Sequence, residues 1–308
     1  MKKLRLSKAT RKEARAAKIF LIPAFLGLTF ITYLPLLAVF ALSLFNWKTI
    51  QPLSNAKFVG LSNYAKIFAD GDFWKYSVWG TAKYALLTVA LVMVYSMLVA
   101  ILLNRKLPAR GFFRAVFYIP YIIPAAALYM IWQLLYDKNF GFINALLSKA
   151  NIPNIAFLQD SATIIPALAI IAVWASGNLI VILLAGLGNV PRIYHEAAEI
   201  DGANAWQRFW KITIPSMSPI IFYNLLISLV AQMQVFVPSL FYSPQNRQMY
   251  PTYKFISYNI FLEGFAGQYR MGYASAIAFI FFVIIGIMTA ILFATSKTWL
   301  FYEGEDKR

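Results

Sequence analysis

The sequence contains no cysteine and carries few charges for its length. The absence of cysteine among its 308 residues excludes disulfides and thiol chemistry in this chain, although it does not reveal the compartment. Charged residues make up 13% of the chain, whereas a soluble domain usually has about 25%. Hydrophobic residues make up 60%. This composition indicates a membrane protein.

Six stretches of the chain contain no Lys, Arg, Asp or Glu. A helix needs about 20 apolar residues to cross a bilayer, and each stretch is long enough. The runs are continuous and do not alternate strictly, which favours helices over barrel strands. We therefore predict an all-α membrane protein with six transmembrane helices. The stretches are residues 19–47, 84–104, 115–136, 161–190, 212–246 and 271–296.

The lack of ionisable residues in these stretches bears on the energy source. Proton- and ion-coupled transporters commonly place acidic or basic groups at membrane depth. The chain also lacks a glycine-rich phosphate loop that ends in Gly-Lys-Ser/Thr. It is therefore passive, coupled to sodium through backbone carbonyls, or driven by another subunit. His195 is the only histidine, so we predict neither a metal site nor a cofactor in this chain.

The net charge of +16 is unevenly distributed. Eight basic residues lie within residues 1–18, and the predicted topology places 18 basic residues on one side and 10 on the other. Basic residues near span ends mark the cytoplasmic side. We predict a basic cytoplasmic tail over 1–18, a permease domain over 19–296 and a cytoplasmic C-terminal tail over 297–308. Membrane topology and anionic lipid account for the charge better than nucleic acid does.

The cytoplasmic loop over residues 191–217 has a readable local pattern. Pro191 suits the first turn of a helix, and Gly202 suits the left-handed residue after a helix end. Asn204 can cap a second helix. We predict two short helices that meet at Gly202 and lie along the membrane surface. The second helix carries an aromatic face formed by Trp206, Phe209 and Trp210.

The loop also contains a Glu-Ala-Ala run at Glu196, followed at fixed spacing by Gly202, Ile212 and Pro215. In these residues it resembles the loop of the permeases of ATP-binding-cassette importers. The family pattern is Glu-Ala-Ala, three residues, Gly, nine residues, then Ile-x-Leu-Pro, and Ile214 stands in place of the leucine. The run over 196–203 resembles the sugar-importer branch in particular. The family often has Gly-Gly-Pro after the fifth span, but residues 243–247 are Ser-Pro-Gln-Asn-Arg. The resemblance therefore does not extend to the outer gate or the binding-protein contact. The matching positions are Glu196, Ala197, Ala198, Gly202, Ile212 and Pro215.

The resemblance implies a role and a set of partners. It makes the loop helix a coupling helix that docks on an ATPase subunit, and it makes the chain a transport subunit of a bacterial cytoplasmic membrane instead of an enzyme. The implied partners are a second permease, two ATPases that bind ATP and Mg, and an extracellular or periplasmic binding protein. Three alternatives remain: an ATP-independent facilitator or secondary transporter, a membrane scaffold, and, for the loop, a helix that packs on its own bundle.

Polar residues inside the spans mark a candidate substrate path. Neutral amides and aromatic rings suit a sugar, and the absence of charge in the spans favours a neutral oligosaccharide or glycerol derivative. The alternative is that these residues bond helices to one another. The candidates are Trp174, Asn178, Asn224, Ser228, Gln232 and Gln234.

Overall fold

The computed structural model describes residues 8–105, 108–242 and 254–301. These residues are mostly helical, as predicted for an all-α membrane protein. The structure therefore describes only part of the predicted tail over 1–18 and only part of segment 243–270. Positions 243–247, which depart from the family pattern, lie outside the described residues. In chain order the α-helices are α1 Lys8–Gly27, α2 Leu34–Ser43, α3 Ser62–Ala69, α4 Trp79–Asn104, α5 Arg110–Ile122, α6 Ala125–Leu135, α7 Phe142–Lys149, α8 Ile164–Trp174, α9 Gly177–Asn189, α10 Arg192–Ile200, α11 Ala205–Arg208, α12 Ile214–Met233, α13 Val237–Tyr242, α14 Ile256–Phe261 and α15 Met271–Trp299.

Short irregular elements join several of these helices. One two-stranded antiparallel ladder, β1 Phe45–Asn46 with β2 Lys57–Phe58, is a small departure from the all-α prediction. A 3-10 turn covers Leu53–Asn55. Turns of π-helix, which are rare and often found at functional sites, cover Leu28–Tyr33, Phe73–Val78, Phe209–Thr213 and Leu262–Ala266.

The chain divides into two compact units. The first contains residues up to 69 together with 260–280. In it, the helical stretch Ala16–Ser43 exposes its apolar side chains throughout, as a helix does in contact with lipid or another subunit. The Asn63 amide donates to the carbonyls of Ser43 and Phe45 at 2.8 and 3.0 Å, which ties α3 to the end of this helix.

The second unit contains residues 70–259 and 281–308. Its central helix is α4, which packs against α8, α9 and α12. Small residues such as Ala85 and Ala100 are fully buried along α4, and small residues let membrane helices approach closely. Gly177 at the start of α9 makes another close approach, because a Cβ there would run into the carbonyl of Phe117 in α5. The core of this unit is therefore built on tight helix contacts.

The described helices include four that are individually long and apolar enough to cross a membrane. They are Ala16–Ser43, Phe73–Asn104, Ala205–Leu240 and Met271–Trp299. Two further pairs reach that length only together and are bent at the joint. The bend is 98° between α5 and α6, and 54° between α8 and α9. The number of candidate spans is therefore between four and six.

Three predicted element boundaries differ from the structure. The helix that contains residues 84–104 already begins at Phe73, inside the predicted outer loop. The third predicted span breaks at Ile123 and Pro124, where a proline removes a backbone donor. The fourth breaks at Ala175 and Ser176 without any proline, and there the Ser176 hydroxyl donates to the carbonyl of Val173 at 2.7 Å.

Candidate coupling site and polar path

The helix α10 carries the Glu-Ala-Ala motif and buries none of its residues. Ile193, Glu196, Ala197 and Ile200 recur at helical spacing, so they share one face. All four are exposed, Ile193 by 67% and Ile200 by 87% of its surface. Ile193, Ala197 and Ile200 form an apolar stripe beside Glu196, and such a stripe is costly in water, so this face is a candidate contact surface. We call these four residues the docking face.

The end of α10 is fixed by a Schellman motif. Gly202 has a φ of +79°, a left-handed conformation that L side chains rarely adopt. Its N–H donates to the carbonyl of Glu199 at 3.1 Å, and the N–H of Ala203 donates to that of Ala198 at 2.8 Å. These two bonds satisfy carbonyls that a helix end leaves free. The predicted role of Gly202 at this turn is confirmed.

The start of α11 is fixed by a capping box, which confirms the predicted cap at Asn204. The Asn204 side chain accepts from the N–H of Gln207, and the Gln207 side chain accepts from the N–H of Asn204, both at 2.9 Å. Across the turn, Arg208 forms an ion pair with Glu199 at 2.8 Å. These contacts fix the angle between α10 and α11. We call residues 192–208 the coupling elbow.

The aromatic face predicted for the second helix is present. The ring of Trp206 lies 5.6 Å from that of Trp210, and the ring of Phe209 lies 5.2 Å from Trp210. The prediction of a separate second helix is wrong, however. A turn of π-helix continues α11 directly into α12, so the helix runs from Ala205 to Met233 within the candidate span Ala205–Leu240. The sequence pattern missed this because a proline such as Pro215 usually marks the first turn of a new helix.

The remaining motif positions lie deeper than the docking face. Ala198 is half-buried in α10, and Ile212 and Pro215 are half-buried where the π-helical turn joins α12. His195 is also half-buried. Within the described residues, no group of three or more His, Asp or Glu side chains is placed to hold a metal ion.

Trp174 and Asn178 lie on two different helices, α8 and α9. A continuous fourth span over 161–190 would instead have placed them one turn apart on one helix. The 54° bend between α8 and α9 falls between them, because Ser176 bonds back to α8 and also to Ser96 of α4 at 3.1 Å. Trp174 is 39% exposed, and its ring stands edge-on to that of Trp132 at 5.6 Å. Asn178 is half-buried.

The α12 candidates are in three different environments. The Gln232 side chain accepts a bond from the hydroxyl of Tyr84, on α4, at 3.1 Å. Asn224 is buried and donates to the carbonyl of Ile220 in its own helix at 2.8 Å. Ser228 is half-buried, whereas Gln234 is exposed at the end of α12. The structure therefore brings Gln232 together with α4 and leaves Asn224 satisfied within α12.

Tyr84 and Trp132 contact candidate path residues, Gln232 and Trp174, and sequence reasoning missed both. Tyr84 belongs to a buried apolar cluster against which Trp132 packs. The indole N–H of Trp132 is buried and finds no acceptor within the described part of the chain. Buried indole donors normally have a partner, so this N–H is an exception within that part of the chain. Only their contacts distinguish these two residues from other aromatics in the spans.

Comparisons with known proteins agree on one family. Residues 93–297, more than half of the chain, match the family of binding-protein-dependent transport system inner membrane components. The chain is 35% identical to the probable ABC transporter permease protein YesP of Bacillus subtilis, over 99% of this chain and 97% of that protein. It is 30% identical to the trehalose/maltose transport system permease protein MalF of Thermococcus litoralis, over 75% and 77% of the two chains.

The fold is also found in solved structures. A crystal structure of a bacterial ABC transporter involved in the import of the acidic polysaccharide alginate contains a chain that superimposes with a TM-score of 0.78. The overlap covers 93% of this chain and 96% of that one, at 21% identity. A structure of a bacterial alginate ABC transporter in complex with an alginate pentasaccharide-bound periplasmic protein gives the same TM-score at 20% identity, over 92% and 95% of the two chains.

These matches bear on the facilitator and scaffold alternatives. A family of binding-protein-dependent permeases has no cofactor of its own and is not enzymatic, and its members are inner-membrane proteins. The facilitator and scaffold alternatives have no support in these comparisons. The chain belongs to the binding-protein-dependent transport system inner membrane component family, and is a multi-pass permease subunit of an ATP-driven importer.

Proposed function

We propose that this chain forms one half of the translocation path for a neutral sugar or oligosaccharide, and that α10 couples it to an ATPase subunit. The full assembly would contain a second, similar permease, two ATPases that bind ATP and Mg, and an external binding protein. The relative named for trehalose/maltose transport supports a neutral saccharide, and membership of a binding-protein-dependent family supports the external binding protein. The exposed docking face of α10 is the observation that carries the proposal.

The docking face has the chemistry of a helix that inserts into a groove. Ile193 and Ile200 stand at its two ends and supply apolar contacts, while Ala197 between them allows close approach of a partner backbone. Glu196 is exposed and adds a charge that a basic group on the ATPase can pair with. A bundle-packing helix would bury this stripe against its own chain, and α10 does not.

The contacts of the coupling elbow suit it to transmit a displacement of α10 to α12. Its turn is fixed by the Schellman motif at Gly202, the capping box at Asn204 and the Arg208–Glu199 pair. The π-helical turn then joins it without a break to α12. A displacement of α10 by the ATPase would therefore move α12 as a rigid element, which is how packed helices convert small shifts into a change of access.

We further propose six spans with both termini in the cytoplasm. Each bent pair would count as one span, with the bends at Pro124 and Ser176 packed inside the bundle, where neighbouring helices satisfy the freed backbone groups. The surplus of basic residues on the side of the coupling loop supports this orientation. In it, 1–18 and 297–308 are cytoplasmic tails of a permease domain over 19–296.

The substrate path would run past the aromatic and amide groups of the second unit. Trp132 offers an unpaired N–H, Trp174 offers an exposed ring face, and Gln232 lies beside Tyr84. Few polar groups in a largely aromatic lining are typical of sites that orient a small ligand. The six charge-free stretches carry no Lys, Arg, Asp or Glu, so a neutral saccharide meets no uncompensated charge along them. Asn178 and Ser228, both half-buried, complete the candidate lining.

Copurification tests the coupling role. A tagged chain isolated from its native host should retain an ATPase, and Glu196→Lys or Gly202→Asp should lose most of it. Glu196→Lys puts a cation on the docking face, and Gly202→Asp forces a side chain onto a left-handed residue.

Asp72→Lys is the matched control, because it makes the same change of charge at an exposed residue far along the chain from α10. The control should retain the ATPase at the wild-type level. An unmodified chain that binds no ATPase and still moves solute in liposomes would refute the proposal.

A further inference from the structure

A groove of about 670 Å³ lies between the last turns of α4 and the coupling elbow. One wall is apolar and comes from α4, where Leu98 and Ile101 precede the end of the helix at Asn104. The other wall comes from the elbow and is formed by Trp206, Arg208 and Phe209. Arg105, the first residue after α4, closes one end. The groove thus combines an apolar slot with two guanidinium groups.

The sequence places this groove at the level of lipid headgroups. Residues 84–104 contain no charge, and the next residue is Arg105. Leu98 is exposed on α4, so the slot opens beside an apolar helix surface. Trp206 is 69% exposed at its rim, and tryptophan is enriched where a membrane meets water. The slot therefore continues from the apolar surface of a span into the polar boundary.

The charged side chains that line the groove are basic. Arg105 and Arg208 line it, and Arg192 and Asn104 line an adjoining cavity of about 340 Å³ that shares Ile101 and Phe209 with it. Among the described residues that line the two cavities, none carries a carboxylate.

The guanidinium of Arg208 keeps donors available for a ligand. Glu199 pairs with Arg208 through one nitrogen, and a guanidinium has five donors. Arg208 therefore presents further donors to the groove that the Glu199 carboxylate does not occupy.

We propose that the groove binds one anionic phospholipid. Its phosphate would lie between Arg105 and Arg208, and an acyl chain would lie along Leu98 and Ile101. A guanidinium suits this ligand because it binds phosphate oxygens through two parallel bonds. The bound lipid would bridge the end of α4 and the coupling elbow. This inference goes beyond the importer role, and its failure would leave that role intact.

Native mass spectrometry of the full chain in detergent tests the site directly. The chain is titrated with dioleoyl phosphatidylglycerol and, in parallel, with dioleoyl phosphatidylcholine. The first phosphatidylglycerol should bind about tenfold more tightly than the first phosphatidylcholine, because two basic side chains face its phosphate. In Arg105→Gln/Arg208→Gln, phosphatidylglycerol should bind no better than phosphatidylcholine.

Three controls make the result specific. Lys138→Gln/Lys149→Gln removes two exposed charges elsewhere and should keep the preference. Glu199→Gln breaks the ion pair but keeps Arg208, so it should keep the preference too. Free glycerol 3-phosphate should not compete, since it lacks the acyl chain that fits the slot. Equal binding of the two lipids by the unmodified chain, an equal loss in any control, or displacement by glycerol 3-phosphate would overturn the proposal.

Discussion

The guanidinium of Arg208 holds the carboxylate of Glu199 at 2.8 Å, and in doing so joins α11 to α10 across the turn at Gly202. The helix α10 is too short to be stable alone in water. Its orientation relative to α11 therefore depends on this pair, on the capping box and on the left-handed glycine. Because α11 continues into α12, the same contacts fix the docking face relative to a long apolar helix.

Breaking the Arg208–Glu199 pair should weaken the coupling between ATP hydrolysis and uptake more than it destabilises the fold. An exposed ion pair contributes about 0.2–1 kcal/mol. Glu199→Gln should therefore leave the ATPase bound but lower solute uptake per ATP hydrolysed by about two- to fivefold. The measurement is uptake and hydrolysis in proteoliposomes that contain the assembled importer.

The matched control is Glu263→Gln, which breaks the Glu263–Arg270 pair in the first unit. It should leave the ratio unchanged. An unchanged ratio in Glu199→Gln, or an equal fall in both variants, would contradict the role of the elbow.

Gly177→Ala should destabilise the second unit. A Cβ at this position would meet the backbone of Phe117 in α5, so the two helices would have to separate. Overpacking of this kind costs about 1–3 kcal/mol. The apparent unfolding temperature of the purified chain should fall. Gly188→Ala, in the same helix with nothing within 4 Å, should keep or raise it, since alanine favours helix over glycine.

Trp174→Ala should weaken saccharide uptake through KM. Its exposed ring stacks edge-on to Trp132, and an aromatic contact is worth about 0.5–1.5 kcal/mol. We expect KM to rise about two- to tenfold for the saccharide retained by the cognate binding protein. Trp174→Phe should restore most of the loss. Asn224→Ala should leave KM unchanged, because Asn224 bonds within its own helix; a larger effect there would contradict this assignment of the path.

Local chemistry in the loop could be predicted from the sequence. The left-handed turn at Gly202, the cap at Asn204 and the aromatic face around Trp206 each depend on residues within a few positions of one another. The break at Pro124 also has a local cause, since proline cannot donate. The apolar stretches also predicted helices from local information, namely the length and composition of each stretch.

Features that depend on distant contacts could not be predicted. The break before Gly177 involves Ser96 and the carbonyl of Phe117, both more than fifty residues away. No characteristic residue pattern marks the π-helical turn that joins α11 to α12. Tyr84 is linked to a candidate path residue only through its bond to Gln232, 148 positions along the chain. Such pairings follow from helix packing, which one sequence does not specify.

The docking of α10 can be tested with one cysteine. The chain has none, so Ala197→Cys creates a single thiol at the centre of the docking face. A thiol-to-amine cross-linker applied to the assembled importer should join Ala197→Cys to the ATPase subunit, and Asp72→Cys should give no such product. If Ala197→Cys reacts with maleimide but forms no product with the ATPase while the assembly stays intact, α10 is not the coupling helix.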